Sequence, residues 1–205
     1  MAPTTSSTST IPRGTTGATS AGATPGAKTF STGKTFPSLC GRTLSWENLL
    51  LATGGSPILP AIEGVDFQGV FVFNRLDDAK EIDAYLKGLG SRVRAVVIGG
   101  GLIGVSVTEA LVRRGVNVTV VEMKDRVLNT ILDEEASTIE ADALASAGVA
   151  VITGRTADRI NGYVSGEVRG VTLDDGRLLP CELVIVAIGV RPRLDAVAGS
   201  GIEIN

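Results

Sequence analysis

The chain contains no histidine and only two cysteines in 205 residues. Cys40 and Cys181 lie far apart and neither belongs to a C-x-x-C pattern, so the sequence encodes no zinc site and no vicinal disulfide. Sparse cysteines are typical of proteins from a reducing compartment. Catalysis through a histidine base is excluded as well.

Long apolar runs and clusters of basic residues are also missing. No stretch approaches the roughly 18 apolar residues that a membrane span needs, and no secretory signal pattern is present. Because the net charge is −3 and no predicted element carries a basic cluster, nucleic acid is not an expected partner. We expect a soluble folded part in the cytoplasm.

Acidic residues are absent from residues 1–35, which are rich in Ser, Thr, Gly, Ala and Pro. Ordering such a segment costs about 1–2 kcal/mol per residue, and Ile11 and Phe30 offer too little apolar surface to offset that cost. We therefore predict a disordered leader at residues 1–41. Its composition also resembles a plastid transit peptide, which would place the protein in an organelle stroma or matrix. A plain disordered extension or a wrongly joined reading frame gives the same composition.

The most informative positive feature is the segment Ala95–Gly104. A β-branched run predicts a buried strand, Gly99, Gly101 and Gly104 follow at G-x-G-x-x-G spacing, and an amphipathic helix comes next. We expect Gly99 to turn the chain, Gly101 to leave room for a pyrophosphate, and Gly104 to let the helix pack closely on the strand. The positive N-terminus of that helix would bind the pyrophosphate.

An acidic residue, Glu122, ends the next predicted strand. A carboxylate at this position accepts hydrogen bonds from ribose hydroxyls and repels a 2′-phosphate, which predicts NAD rather than NADP. Lys124 and Arg126 follow closely and would partly offset that repulsion. This context favours a dinucleotide fold over a chance glycine-rich loop. A methyltransferase ranks low, because its glycines usually follow G-x-G-x-G spacing.

The elements around this motif alternate between strands and helices. Strands are predicted at residues 49–52, 70–73, 95–98, 118–122, 149–152 and 183–188. Three helices are predicted: the first is capped by Asp77 or Asp78, the second runs from the glycine loop to Gly115, and the third starts at Asp133. The apolar spacing predicts which residues of each helix face inward. They are Leu76, Ala79, Ile82 and Leu86 in the first helix, Val107, Ala110 and Leu111 in the second, and Ala136, Ile139, Ala143 and Leu144 in the third. This order predicts an α/β fold with a doubly wound, Rossmann-like parallel sheet covered on both faces.

An antiparallel meander interrupts this alternation. Short strands are predicted at residues 156–160, 168–173 and 177–179, and Asp174-Asp175-Gly176 joins the last two as a hairpin turn. The chain returns through Leu183–Ile188, a run apolar on both faces that predicts a central strand. Gly189 follows this strand at the sheet edge where ligands of such folds bind.

Several motifs occur in a recognisable order along the chain. They are Thr43-Leu-Ser-Trp-Glu-Asn-Leu-Leu-Leu-Ala-Thr-Gly54, the fingerprint from Gly99 to Glu122, the Asp133-Glu-Glu-Ala helix start, Leu173-Asp-Asp-Gly-Arg177, and Val186-Ala-Ile-Gly-Val-Arg-Pro192. In this order they resemble the pyridine nucleotide-disulfide oxidoreductase superfamily, most closely its FAD-dependent NADH oxidase, nitrite reductase and ferredoxin or rubredoxin reductase type. The resemblance runs from about Arg42 to Asn205.

The resemblance implies a flavoenzyme that takes hydride from NADH onto FAD and passes electrons to an acceptor that the sequence does not identify. It also allows a homodimer in a full-length form. By this likeness the following residues contact cofactors: Gly99, Gly101, Leu102, Ile103, Gly104 and Glu122 hold NAD, Gly189 lies near the nicotinamide, and Ala52, Thr53 and Gly54 lie against the flavin nucleotide.

The chain departs from the family in several respects. It shows no glycine motif for the FAD pyrophosphate before Leu49, no redox cysteine pair, and no second FAD segment or interface domain. Ser106 stands where the family often has a glutamate. We therefore expect residues 42–75 to be a remnant of the FAD-binding domain, 76–192 the NAD-binding Rossmann domain, and 193–205 the start of the return to the FAD domain.

The sequence thus predicts the NAD(H)-binding part of a flavin-dependent oxidoreductase, incomplete by itself and without a catalytic residue of its own. The alternative is a non-catalytic NAD-binding module or an inactive fragment. A dehydrogenase acting directly on its substrate ranks last, because it would need a catalytic base and a substrate domain.

Overall fold

The structure is a computed structural model that describes residues 50–198 and the backbone of residues 35–37 and 43–45. The chain divides into two compact units, Met1–Thr53 and Gly54–Asn205. In the first unit, strand β1 (Thr35–Pro37) pairs antiparallel with β2 (Thr43–Ser45). Apart from β1, the predicted leader lies outside the described residues, and the predicted domain boundaries stay predictions.

The second unit alternates strands and helices before it turns to an antiparallel segment. In chain order its elements are β3 (Gly55–Pro57), β4 (Val70–Val72), α1 (Leu76–Leu89), β5 (Arg94–Ile98), α2 (Leu102–Val112), β6 (Asn117–Glu122), α3 (Glu134–Ser146), β7 (Ala150–Thr153), β8 (Ala157–Gly162), β9 (Val168–Leu173), β10 (Leu178–Pro180), β11 (Leu183–Val186) and β12 (Val190–Pro192). A short 3-10 helix, Asp195–Val197, follows.

A five-stranded parallel sheet in the order β4-β11-β5-β6-β7 forms the centre of this unit. The predicted central strand is confirmed, because all four residues of β11 are buried and the strand pairs with β4 on one side and β5 on the other. A strand that is apolar on both faces belongs in such a position, since both faces lie against other layers.

Side chains of alternating residues build two separate cores on the two faces of this sheet. Val97 and Ile185 face the helices, where they pack with Ile82 of α1, Leu111 of α2 and Leu144 of α3. Their neighbours in sequence point the other way and pack against the antiparallel segment. The fold prediction is therefore confirmed, with helices on one face and the meander on the other.

The meander forms a three-stranded sheet in the order β10-β9-β8, as predicted. The turn at residues 174–176 ends at Gly176, whose φ of +83° suits a glycine. Leu173 donates its amide to the carbonyl of Arg177 and closes the hairpin. Val171 is fully buried against the parallel sheet, so this layer is part of the core.

The predicted strand at residues 49–52 is wrong for the part that the structure describes. Residues 50–52 have no regular structure, and Leu50 is exposed. A strand requires a hydrogen-bonded neighbour, and none pairs with these residues within the described ranges. The strand in this region is instead β3, which pairs antiparallel with β12.

Three residues predicted to face inward are exposed instead: Leu76, Ile139 and Ala143. Leu76 is the first residue of α1 and projects from the end of the helix. Helix α3 buries Ser137 rather than Ile139, and the Ser137 hydroxyl donates to the carbonyl of Val127 at 2.9 Å. This bond holds the Ser137 side of α3 inward, so the apolar pattern is right at Leu144 and wrong at Ile139 and Ala143.

The α-helices of the second unit are short, 11 to 14 residues each. Over the residues that the structure describes, none combines enough length with enough apolar character to cross a membrane.

Two helical glycines differ in the space beside them, and replacing each by alanine tests how closely α2 packs on β5. A Cβ on Gly104 would overlap the backbone carbonyl of Gly99, whereas a Cβ on Gly88 in α1 would meet nothing within 4 Å. We predict that Gly104→Ala lowers the free energy of unfolding by about 3 kcal/mol or more. The control Gly88→Ala should raise it by about 0.5–1 kcal/mol, because alanine is the better helix former. Urea denaturation measures both, and equal effects of the two changes would contradict the close contact.

Cys181 is a buried core residue rather than a reactive thiol. Its side chain is 1% exposed, and burial raises the pKa of the thiol to about 12. Since the thiolate is the nucleophile, only about one thiol in 10⁴ is ionised at pH 8. In a Cys40→Ser variant, we expect iodoacetamide to label native protein at least about 100-fold more slowly than urea-unfolded protein. Mass spectrometry gives both rates, and similar rates would show that Cys181 is accessible.

Candidate functional site

The glycine loop lies at the carboxyl edge of the parallel sheet, between the end of β5 and the start of α2. Gly99 has a φ of +109°, and a Cβ there would lie 2.5 Å from the carbonyl oxygen of Ala187. Its amide donates to the carbonyl of Val121 at 2.8 Å. Only glycine combines this backbone conformation with so close an approach to the neighbouring strand, which agrees with the turn predicted at this position.

Gly101 caps the N-terminus of α2, and the space beside it is open. Its φ of −78° is one that any residue adopts, yet a Cβ there would meet nothing within 4 Å. Its carbonyl accepts the first helical bond, from Val105, at 2.9 Å. The amides of residues 102–104 in the first turn have no partner within the helix, so they give this end a partial positive charge.

The two residues between the second and third fingerprint glycines differ in their surroundings. Leu102 is 64% exposed at the start of α2. Ile103 is half-buried and packs on the helix-side core. No acidic side chain lies in the first turn of α2, so nothing on the helix itself competes with an anion at its N-terminus.

Glu122 is bonded to the glycine loop through its carboxylate. Oε2 accepts the Gly100 amide at 2.6 Å, and Oε1 accepts the amide of Lys124 at 2.8 Å. The half-buried carboxylate thereby joins the glycine loop to the loop that follows β6. Each oxygen has a second lone pair, so the group keeps the capacity to accept further hydrogen bonds.

Sequence analysis did not predict the contacts that Gly100 makes with Glu122 and with residues 127 and 128. A Cβ on Gly100 would lie 3.1 Å from atoms of both Glu122 and Val127, and the Gly100 carbonyl accepts the amide of Leu128 at 2.8 Å. The signal was the middle one of the three consecutive glycines, which the fingerprint spacing does not require. Gly100 allows the acidic residue to approach the loop.

The two cations after Glu122 differ in their contacts. The guanidinium of Arg126 pairs with the neighbouring carboxylate of Asp125 at 3.2 Å, while its Nε atom is buried without a partner among the described residues. Lys124 is exposed. Arg126 is thus partly neutralised by its neighbour, which reduces its effect on the charge at Glu122.

Gly189 lies at the same edge of the sheet, after β11. Its φ is +124°, and its carbonyl accepts the amide of Ile58 at 2.9 Å. This bond extends the pairing of β12 with β3. The structure therefore brings Gly189, the fingerprint glycines and Glu122 to one edge, the carboxyl ends of β5, β6 and β11.

The predicted flavin contacts are divided between the two units. Ala52 and Thr53 belong to the first unit, and Gly54 begins the second. Gly54 has a φ of +72°, and its carbonyl accepts the amide of Arg193 at 2.9 Å. Ser106, at the position where a glutamate is frequent, is exposed and donates its hydroxyl to the carbonyl of Leu102 at 2.8 Å within its own helix.

Comparisons with known proteins identify the family of this chain. The family model described as pyridine nucleotide-disulphide oxidoreductase matches residues 12–205. The match begins inside the segment predicted to be a leader, whereas the recognised motifs begin at Thr43. Proteins named NADH oxidase and nitrite reductase are among the relatives.

Three similar proteins illustrate the relationship. The chain is 36% identical over 163 residues to the NADH-dependent phenylglyoxylate dehydrogenase subunit epsilon of Aromatoleum evansii. The aligned segment covers 80% of this chain and 38% of that protein. A ferredoxin reductase structure from Rhodopseudomonas palustris has a TM-score of 0.77 and 27% identity, covering 87% of this chain and 44% of that one. An FAD-dependent pyridine nucleotide-disulphide oxidoreductase structure from Desulfovibrio vulgaris has a TM-score of 0.67 and 29% identity, covering 87% and 47%.

The chain spans less than half the length of each of these three proteins. The family is enzymatic and depends on NAD(H) and FAD. This chain has a Rossmann-type fold and the motifs of the family in the same order, and the family model matches nearly the whole sequence. The chain therefore belongs to the pyridine nucleotide-disulphide oxidoreductase family.

Proposed function

We propose that the chain binds NAD(H) at the carboxyl edge of its parallel sheet. In this proposal it is the nucleotide-binding part of a flavin-dependent oxidoreductase that passes hydride from NADH to FAD and electrons to an unidentified acceptor. The observation that carries the proposal is the open space beside Gly101 at the head of α2, with Glu122 bonded to the same loop.

The pyrophosphate is assigned to the N-terminus of α2 by charge and space. Unpaired amides of the first turn give a partial charge of about +0.5 at this end. A phosphate can approach the backbone at Gly101, because no Cβ stands in the way and no side chain fills the space. At Gly99 and Gly104, by contrast, the backbone itself occupies the space where a Cβ would lie. Among the three fingerprint glycines, Gly101 therefore serves the ligand.

The ribose is assigned to Glu122. Its carboxylate is already oriented by the amides of Gly100 and Lys124, so little side-chain freedom is lost when a ligand binds. The remaining lone pairs would accept the 2′ and 3′ hydroxyls of the adenosine ribose. A 2′-phosphate would meet a carboxylate instead, which supports NAD over NADP as the cofactor.

The chemistry of the family needs FAD as well as NADH. When bound, NADH would supply a hydride. The residues of this chain would bind and orient the dinucleotide, with Gly189 at the nicotinamide end. Ala52, Thr53 and Gly54 are proposed flavin contacts, supported by the resemblance to the family.

The first test substitutes Gly101, whose side-chain position is free. We expect Gly101→Ala to leave the free energy of unfolding nearly unchanged and to weaken NADH binding at least about tenfold, because a methyl group enters the phosphate space. Isothermal calorimetry with NADH measures the affinity, and urea denaturation measures the stability.

Gly88→Ala is the matched control for Gly101→Ala, since it adds the same methyl group in open space on another helix. It should leave the affinity for NADH unchanged. The proposed site would be contradicted if Gly101→Ala did not alter the affinity for NADH. It would also be contradicted if the wild-type protein gave no binding heat at millimolar NADH.

The second test addresses the choice between NADH and NADPH. We expect Glu122→Ala to weaken NADH relative to NADPH by about 1.5–3 kcal/mol, or roughly 10- to 150-fold, because charged hydrogen bonds to the ribose are lost. Glu122→Gln removes the negative charge but keeps a side chain of nearly the same shape, so it separates the effect of the charge from the effect of the side-chain volume.

Asp142→Asn is the control for Glu122, because it removes an exposed carboxylate on α3, away from the glycine loop and from Arg126. It should change the NADH-to-NADPH ratio little. If Glu122→Ala leaves this ratio as it is in the wild type, another residue reads the ribose.

A further inference from the structure

A two-stranded ribbon, formed by β3 and β12, carries the turn at Gly189. The two strands pair antiparallel, and the Ile58 amide extends this pairing when it donates to the carbonyl of Gly189 at 2.9 Å. The ribbon is a sheet of its own, separate from the five-stranded parallel sheet. The position of Gly189 is therefore coupled to the position of the ribbon.

Burial of apolar side chains contributes little to holding this ribbon in place. All three residues of β12 are exposed, and those of β3 are half-buried. A two-stranded ribbon is at best marginally stable in water by itself. Gly189, where the ribbon leaves the parallel sheet, has a φ of +124°, and glycine leaves the backbone free to rotate there. Polar contacts therefore have a large part in orienting the ribbon.

The side chain of Asn74 makes such a contact, from the end of β4. Its Nδ2 atom donates to the carbonyl of Gly55 in β3 at 3.2 Å. Asn74 lies at the same edge of the sheet as Gly189, because the last residues of β4 and β11, Val72 and Val186, are paired. The hydrogen bond thus joins the ribbon to the carboxyl edge of the parallel sheet.

A buried carboxylate holds the backbone of Asn74. Asp78, in the first turn of α1, is 7% exposed, and its Oδ2 accepts the amides of Asn74 and Arg75 at 2.8 Å each. The Arg75 guanidinium approaches the other oxygen at 3.8 Å. Hydrogen bonds to an ionised acceptor are stronger than those to a neutral one. Asp78 therefore fixes the backbone from which the Asn74 side chain reaches the ribbon.

We infer that Asn74 is a positioning residue for the nicotinamide half of the bound dinucleotide. The inference rests on the proposed function, in which Gly189 lies at the nicotinamide end. Asn74 holds β3, β3 pairs with β12, and β12 follows directly after Gly189. The adenosine half is assigned to the glycine loop and Glu122, which belong to β5, β6 and α2. Asn74 therefore acts on one half of the ligand, without touching it, by preorganising the turn.

The test uses two ligands that differ in the nicotinamide: NADH, and ADP-ribose, which lacks it. In the 205-residue chain, we expect Asn74→Ala to weaken NADH binding at least about fivefold, because the turn must then be ordered when the ligand binds. The affinity for ADP-ribose should change less than about twofold. Isothermal calorimetry measures both affinities.

Hydrogen exchange of single amides, followed by NMR, reports on the ribbon without any ligand. The Ile58 amide should exchange at least about fivefold faster in Asn74→Ala, because its bond to Gly189 opens when the ribbon moves. The Leu128 amide, which donates to the carbonyl of Gly100, should exchange as in the wild type. This second amide shows that the glycine loop of the variant stays folded.

Further variants separate positioning from a general loss of structure. Asn74→Gln keeps an amide donor on a longer side chain and should retain part of the affinity for NADH. Asp78→Asn replaces the charged acceptor by a neutral one and should weaken NADH more than ADP-ribose. Asn117→Ala is the matched control, because it removes an exposed asparagine at the amino end of β6. It should bind both ligands as the wild type does.

The inference is overturned if Asn74→Ala weakens NADH and ADP-ribose equally, or weakens neither. It is also overturned if the Ile58 amide of this variant exchanges as in the wild type. In these cases the dinucleotide site itself stands, since the wild type binds both ligands. A wild-type chain that binds neither ligand contradicts the proposed function, and the inference with it.

Discussion

The arrangement of the site depends on one contact between two backbones, at Gly104 and Gly99. The first turn of α2 lies so close to the end of β5 that a side chain at Gly104 would overlap the carbonyl of Gly99. This contact directs the N-terminus of α2 to the edge of the sheet, where its unpaired amides face outward. Without it the helix would have to move away from the strand, and the loop between them would lose its shape.

The three fingerprint glycines therefore have different physical roles, although the motif presents them alike. Gly99 and Gly104 permit backbone contacts inside the protein, whereas Gly101 keeps a space open. Under the proposed function, the same sequence motif combines a requirement of folding with a requirement of binding. Substitution separates the two requirements, because only the first affects the stability of the free protein.

Glu122 completes the loop from the neighbouring strand. Its carboxylate accepts amides from the glycine loop and from the loop after β6, so the two loops hold each other in position. An acidic residue at this point is therefore built into the protein and is not merely available to a ligand. This preorganisation reduces the entropy that binding would otherwise cost.

The sequence predicted the strands and helices that have a clear apolar period and a glycine turn, including the fingerprint, β11 and the hairpin at Gly176. It was wrong where a partner decides the outcome. Residues 50–52 have strand composition but no paired neighbour among the described residues. Ile139 is exposed, while Ser137 on the buried side of α3 donates a hydrogen bond to the carbonyl of Val127. The amide contact of Glu122 arises from tertiary geometry, which no local pattern records. The cofactor contacts themselves stay predictions.

The strand order of the parallel sheet also has a consequence for how the protein is made. Strand β11 lies between β4 and β5, although more than a hundred residues of chain separate it from β4. β4 has no other partner in this sheet, so it stays unpaired on the ribosome until the meander and β11 have been synthesised. Such distant pairing slows folding and leaves apolar edges exposed in the nascent chain. The topology itself thus makes closure of this edge of the sheet a late event in the synthesis of the chain.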